Sequence, residues 1–329
     1  MQPLIYYMTS DQLTYLVFGI VIVLALAFDL GLLSKKNTHI TLRKALLQTI
    51  FWVTLALGFF GFMWVEEGRT VALEYLSAYL MEWSLSIDNI FVFILIFNFF
   101  GVKDRFYARV LLIGILMAIV FRVIFITIGI ELVERFSWLL YVFGGILVYT
   151  GFKMFTAKHD DEVNLQENRV YKMLKKFLPL TPQDGDGKWT MRIDGKKYYT
   201  SLFVVVIMLA TTDIIFAVDS IPAVFAISQN HLVIYTSNIF AVLGLRSLFF
   251  LLKGAINKFG HLQQGIAFVL IFIGAKMLVT FFDIHVPILI SLLVIVMSVT
   301  LSIVYSISVA RKETAEETIE EHSPDKDLH

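Results

Sequence analysis

The sequence contains no cysteine. That excludes disulfides, thiolate metal sites and cysteine nucleophiles within these 329 residues, and it leaves the redox compartment open on either side of a membrane. Charge is scarce as well: 16% of residues are Asp, Glu, Lys or Arg, where an ordinary soluble domain carries about 25%. What charge there is cancels, with 27 basic and 27 acidic residues. No basic stripe interleaved with aromatics stands out, which sets nucleic-acid binding aside. Six prolines and no low-complexity tract argue against disorder before the tail. Histidine is absent from the middle of every apolar run. His231 and His285 fall at the edges, and His39, His159, His261, His322 and His329 lie in polar segments, so zinc, copper and nickel are disfavoured. Residues 1–11 carry no Lys or Arg, unlike a cleavable signal, and the first apolar run is expected to stay in the protein.

Apolar sequence is what the chain has in excess: 58% of residues are hydrophobic and the mean hydropathy is +0.77. Nine runs are long enough to cross about 30 Å of hydrocarbon as helix, over 13–33, 43–65, 74–100, 107–131, 137–156, 201–228, 232–252, 264–283 and 286–310. They show no two-residue alternation, which argues against a barrel. The expectation is an all-α, polytopic membrane protein with about nine transmembrane helices. Intervening charge sorts by side. Lys35, Lys36, Arg43 and Lys44, then Lys103, Arg105 and Arg109, then the basic residues of 157–200, then Lys253 and Lys258, then Arg311 and Lys312 fall on one side, and Arg69 and Arg135 on the other. The positive-inside rule places the N-terminus outside and the C-terminus in the cytoplasm, in the plasma (inner) membrane.

The connection 157–200 divides the chain into a membrane half 1–156 and a second half 201–310, followed by an acidic tail 311–329. Asp194-Gly195 between two short runs predicts a small cytoplasmic hairpin. Asp184-Gly185-Asp186-Gly187 resembles the start of a calcium loop, but Gly195 stands where an EF-hand needs Glu, so a solvated turn is the better reading.

Two segments share a pattern of acid, five residues, acid, small polar residue. One is Glu82-Trp-Ser-Leu-Ser-Ile-Asp88-Asn89 and the other Asp213-Ile-Ile-Phe-Ala-Val-Asp219-Ser220. Arg122 then matches Arg246, and Gly151-Phe-Lys153-Met154 matches Gly274-Ala-Lys276-Met277. Residues 74–156 and 201–283 therefore read as two three-helix repeats. Charge bias gives them opposite orientation, the arrangement of secondary transporters with a site at the repeat interface.

Ionised carboxylates inside a bilayer cost several kcal/mol by most estimates (roughly 3 or more each) and need compensation. Glu82, Asp88, Asp213 and Asp219 are thus candidate ligands for a hard cation. Asn89, Thr212, Ser220 and Asn238 are accessory oxygen donors, and Arg122, Lys153, Arg246 and Lys276 are counter-charges or gating groups. Oxygen ligands of this kind suit Mg, Ca and Mn alike. The bland alternative is that the acids and bases are only interhelical ion pairs. Six residues of helix turn about 240° and rise about 9 Å. Glu82 and Asp88 therefore share an ion only if the helix opens, and otherwise form two layers, with Glu82 level with Asp219 and Asp88 level with Asp213. Pro222 is a candidate helix break.

At these residues the sequence resembles the TerC/Alx family of integral membrane proteins, named for tellurium resistance and associated with manganese efflux. The resemblance is carried by the Glu82–Asp88 segment, by Thr211-Thr-Asp-Ile-Ile-Phe-Ala-Val-Asp-Ser-Ile-Pro-Ala-Val-Phe, and by Thr236-Ser-Asn-Ile-Phe-Ala-Val-Leu-Gly-Leu-Arg246. It implies an exporter-like fold with Glu82, Asp88, Asp213 and Asp219 as metal ligands. The expected function is that of a non-enzymatic secondary transporter exporting a divalent cation, Mn²⁺ first, by proton exchange. Its partners would be the ion, protons and the lipid bilayer, with no cofactor and a homo-oligomer as an option. Rivals are an exporter of cationic amino acids and a membrane-assembly partner. An intramembrane aspartyl protease is disfavoured, because neither acid lies in a Gly-x-Gly-Asp segment.

Overall fold

The structure, a computed structural model, describes residues 10–33, 41–156, 169–253 and 262–321. Its helices are α1 (Ser10–Leu33), α2 (Leu42–Glu66), α3 (Arg69–Phe99), α4 (Asp104–Arg135), α5 (Leu139–Thr156), α6 (Arg169–Phe177), α7 (Ser201–Ile227), α8 (His231–Leu243), α9 (Leu245–Lys253), α10 (Leu262–Val279) and α11 (Ile288–Glu321). Seven of them are long and apolar enough to cross a membrane, or eight if the bent pair α8 and α9 is one span, and α1 adds a shorter apolar stretch, Gln12–Ala25. Large apolar side chains such as Val65, Tyr149 and Leu301 stand exposed around the bundle. In water these would be a liability, and against acyl chains they are the proper surface.

Helices α3 and α7 form the centre and pack on each other, with α8 against α3 and α4 against α7. In α4 the buried residues recur at helical spacing, through Leu111, Gly114, Ala118, Arg122, Ile126, Gly129 and Val133, so this stripe faces inward and carries Arg122 with it. Capping defines some of the ends: Thr41 Oγ1 accepts from the Lys44 N–H, and Asn230 Oδ1 accepts from Leu232 and Val233.

Helix α5 packs along α10 through small residues. A Cβ on Gly151 would lie 2.8 Å from the Ala267 carbonyl and meet Ile271, and one on Gly274 would lie 2.7 Å from the Gly144 carbonyl and meet Val148. The contact is reciprocal. The numbering offset that takes Lys153 to Lys276 also takes Gly144 to Ala267, Val148 to Ile271 and Gly151 to Gly274.

One expectation about helix continuity is corrected and one left open is decided. Helix α7 runs unbroken across Pro222, whose ring removes the donor to the Val218 carbonyl without ending the helix. The break lies at Gly244 instead, where α8 and α9 meet at 41°, two residues before Arg246. Helix α3 is also continuous, so Glu82 and Asp88 occupy two levels.

The expected hairpin is present, with β1 (Thr190–Ile193) antiparallel to β2 (Lys196–Tyr199). Its turn puts Asp194 at φ 51° and Gly195 at φ 77°, the left-handed pair of a two-residue hairpin. The turn before it docks on the start of α4. Lys103 pairs with Asp184 at 2.7 Å, Arg105 with Asp186 at 2.8 Å, and Arg109 donates to the Gly187 carbonyl at 2.8 Å. The two aspartates pair with bases, and Asp186 stays exposed to solvent, so the stretch is a turn, as expected, and one that docks. The Lys103 ammonium, donating to Asp184, holds that carboxyl below the usual carboxylate range. Helix α11 continues through Glu321, so the first part of the acidic tail is helical.

Candidate functional site

Arg122 is 1% exposed, a burial that a guanidinium tolerates only when paired. Its Nε donates to Asp213 Oδ2 and its Nη2 to Asp213 Oδ1, each at 3.0 Å, a two-pronged fork across α4 and α7. The remaining prong, Nη1, forms an ion pair with Glu82 of α3 and donates to Asn238 Oδ1 of α8 at 3.3 Å. Asn238 turns its oxygen this way because its Nδ2 donates to the Ile234 carbonyl at 3.0 Å. Four helices thus converge on one buried guanidinium. In their ionised forms the three charged groups sum to one excess negative charge. Glu82 Oε2, Ser86 Oγ and Ser220 Oγ are buried with no hydrogen-bond partner among the described residues. A cavity of about 10 Å³ borders Asp213, walled by Phe93, Leu111, Ile115, Leu209 and Leu245. That is room for about one water.

The other expected residues lie elsewhere. Asp219 is half-buried on α7 and accepts from Thr150 Oγ1 of α5 at 3.0 Å. Lys153, one turn along α5 and itself exposed, is near enough to act on it electrostatically. The expected pairing of Glu82 with Asp219 is therefore replaced by Glu82 with Asp213. The two central helices bring the first acid of each acid-five-residue-acid segment together on Arg122, while Asp219, six residues on, turns toward α5. The side chain of Asp88 lies outside the described residues. Lys276 lies near enough to Glu74 to act on it electrostatically, and Glu74 accepts from Ser228 Oγ at 2.5 Å. Arg246 is buried at the start of α9, and Asn89 is buried on α3. The Thr212 hydroxyl donates to the Met208 carbonyl of its own helix. Among the described residues no group of three or more His, Cys, Asp or Glu is gathered as a metal-holding set.

Sequence reasoning did not single out Glu74, Thr150, Ser86 or the pair of Glu134 with His231, which join α4 to α8 at 2.9 Å. Thr150 had a signal, since it lies one turn before Lys153. Glu74 was hidden by its place at the edge of an apolar run.

Relatives share most of this chain. Proteins named Alx, described as a proposed membrane-bound redox modulator, are 41% identical in Escherichia coli K12 over 284 residues, covering 84% of this chain and 88% of theirs. The Alx of Salmonella typhi is 42% identical over the same share. An uncharacterised membrane protein of Rickettsia felis is 39% identical over 280 residues, 85% of this chain and 92% of its own. No solved structure matches. Residues 67–314, which hold the Arg122 cluster and Asp219, match the integral membrane protein TerC family, and the chain belongs to that family.

Proposed function

We propose that this protein is a secondary transporter that exports a divalent cation, Mn²⁺ first, from the cytoplasm across the plasma membrane in exchange for protons, with its N-terminus outside. The observation that carries the reading is the buried cluster in which Glu82 and Asp213, equivalent positions of the two repeats, meet on Arg122 with excess negative charge. Oxygen donors without hydrogen-bond partners among the described residues, Glu82 Oε2, Ser86 and Ser220, suit a hard cation that exchanges water for fixed oxygens. The reciprocal packing of α5 on α10 supports inverted repeats, an arrangement in which the site is expected at the interface between them.

In this mechanism Glu82 offers the carboxylate that receives the ion, Asp213 stays anchored to Arg122, and Asp219 with Thr150 forms a second station along α7. Protons neutralise the carboxylates once the ion has left, which avoids bare charge in the membrane. The small cavity beside Asp213 favours an ion over a cationic amino acid. The relatives' redox description suggests a second reading, but thiol redox chemistry needs cysteine, and these 329 residues have none. The test is cellular manganese, measured by mass spectrometry under manganese load. Cells with the protein should hold less manganese than cells lacking it or carrying Glu82→Gln. Equal content in all three would refute the proposal.

A further inference from the structure

We propose that Arg122 is a tethered counter-cation that competes with the transported ion for the oxygens of Glu82 and Asn238. This rests on the transport reading above and adds how the site is emptied. The three prongs of the guanidinium are held by different partners. Two meet Asp213 in parallel bonds of 3.0 Å, which fix the plane of the group and make Asp213 its anchor. The third is shared between one oxygen of Glu82 and an Asn238 contact of 3.3 Å, and the other Glu82 oxygen has no hydrogen-bond partner among the described residues. Asn238 is locked with its oxygen facing the cluster, an orientation that serves any cation there.

An arriving divalent ion therefore meets its ligands on the Nη1 side and must displace that prong, because two cations sharing Glu82 in a dry interior repel strongly. When the ion leaves, Nη1 returns to shield the Glu82 carboxylate until a proton neutralises it. The cost is affinity and the gain is release, so Arg122 sets both. It acts as a positioning residue through Glu82 and needs no contact with the ion.

Wild-type protein, Arg122→Gln and Arg122→Lys, purified in detergent, would be compared with Mn²⁺ alone as the probe. Binding of radioactive manganese, melting temperature with and without Mn²⁺, and saturation of flux in vesicles would be measured. Arg122→Gln should bind Mn²⁺ at least about tenfold more tightly, gain more Mn²⁺-dependent thermal stability than wild type, and show a lower KM with a lower maximal rate. Arg122→Lys keeps the charge without the fork and should fall between. A folded Arg122→Gln that binds Mn²⁺ as wild type does, or more weakly, overturns the inference while leaving the transport reading intact. If Arg122→Gln does not fold, Arg122→Lys decides: tighter binding than wild type supports the competition, and equal or weaker binding overturns it. Absence of binding by wild type and both variants refutes the transport reading and this inference together.

Discussion

Asp213→Asn and Glu82→Gln remove the same charge from the same cluster, yet the geometry makes their consequences different. Asp213 holds Arg122 with both oxygens at 3.0 Å. Asparagine keeps one acceptor and turns an amide donor toward a guanidinium N–H, so one charge-assisted bond is lost and a donor faces a donor. A bond to a charged group contributes about 1.5–3 kcal/mol, and breaking a buried pair costs about 3–5 kcal/mol. A loss near 3 kcal/mol is expected for Asp213→Asn. Glu82→Gln leaves the Asp213 fork untouched, and the cluster passes from one excess negative charge to neutral. Its cost should stay near about 1 kcal/mol. Melting in detergent, with abundance in isolated membranes as a second readout, would order the variants as wild type, then Glu82→Gln, then Asp213→Asn. Manganese efflux should fail in both. Equal destabilisation of the two, or a larger loss in Glu82→Gln, would refute the asymmetric cluster.

Gly274→Ala would place a Cβ 2.7 Å from the Gly144 carbonyl and should cost about 1–3 kcal/mol. Gly145→Ala, with nothing within 4 Å, should be neutral or stabilising in the same melting assay. Because the Asp184 carboxyl is held low by Lys103, its contribution to docking the hairpin is present above the ordinary aspartate value of about 3.9 and is lost as pH falls through the lower folded value. Fluorescence of Trp189, on which Arg109 stacks at 4.7 Å, should report that acid transition in wild type, and Asp184→Asn should lack it. Cysteines introduced at Gly68, Asn230 and His285 should react with an impermeant thiol reagent from outside, and those at Lys103 and Gln183 only after permeabilisation. External labelling at Gln183 would contradict the orientation.

The spans were legible because a helix in lipid must be long and apolar, and composition alone states that. The hairpin was legible from Asp194-Gly195, whose left-handed backbone few other residues adopt. The importance of Glu82, Asp213 and Arg122 could be read because charge within apolar runs is costly. Which acid meets which base could not, since that depends on how α3 and α7 pack and on which face of α7 turns toward α5. Sequence spacing measures rise along one helix and says nothing of its rotation against a neighbour. The helix break was misplaced for a similar reason. Pro222 is the stronger breaker by local chemistry, but α7 stays helical across it, and the chain bends at Gly244.

Flux in vesicles tests the central claim most directly. Purified protein reconstituted around an internal manganese indicator, with an imposed proton gradient, should pass Mn²⁺ faster than protein-free vesicles, while Glu82→Gln should match the protein-free rate. Wild-type flux no faster than that of protein-free vesicles, in protein shown to be folded and inserted, would contradict the account.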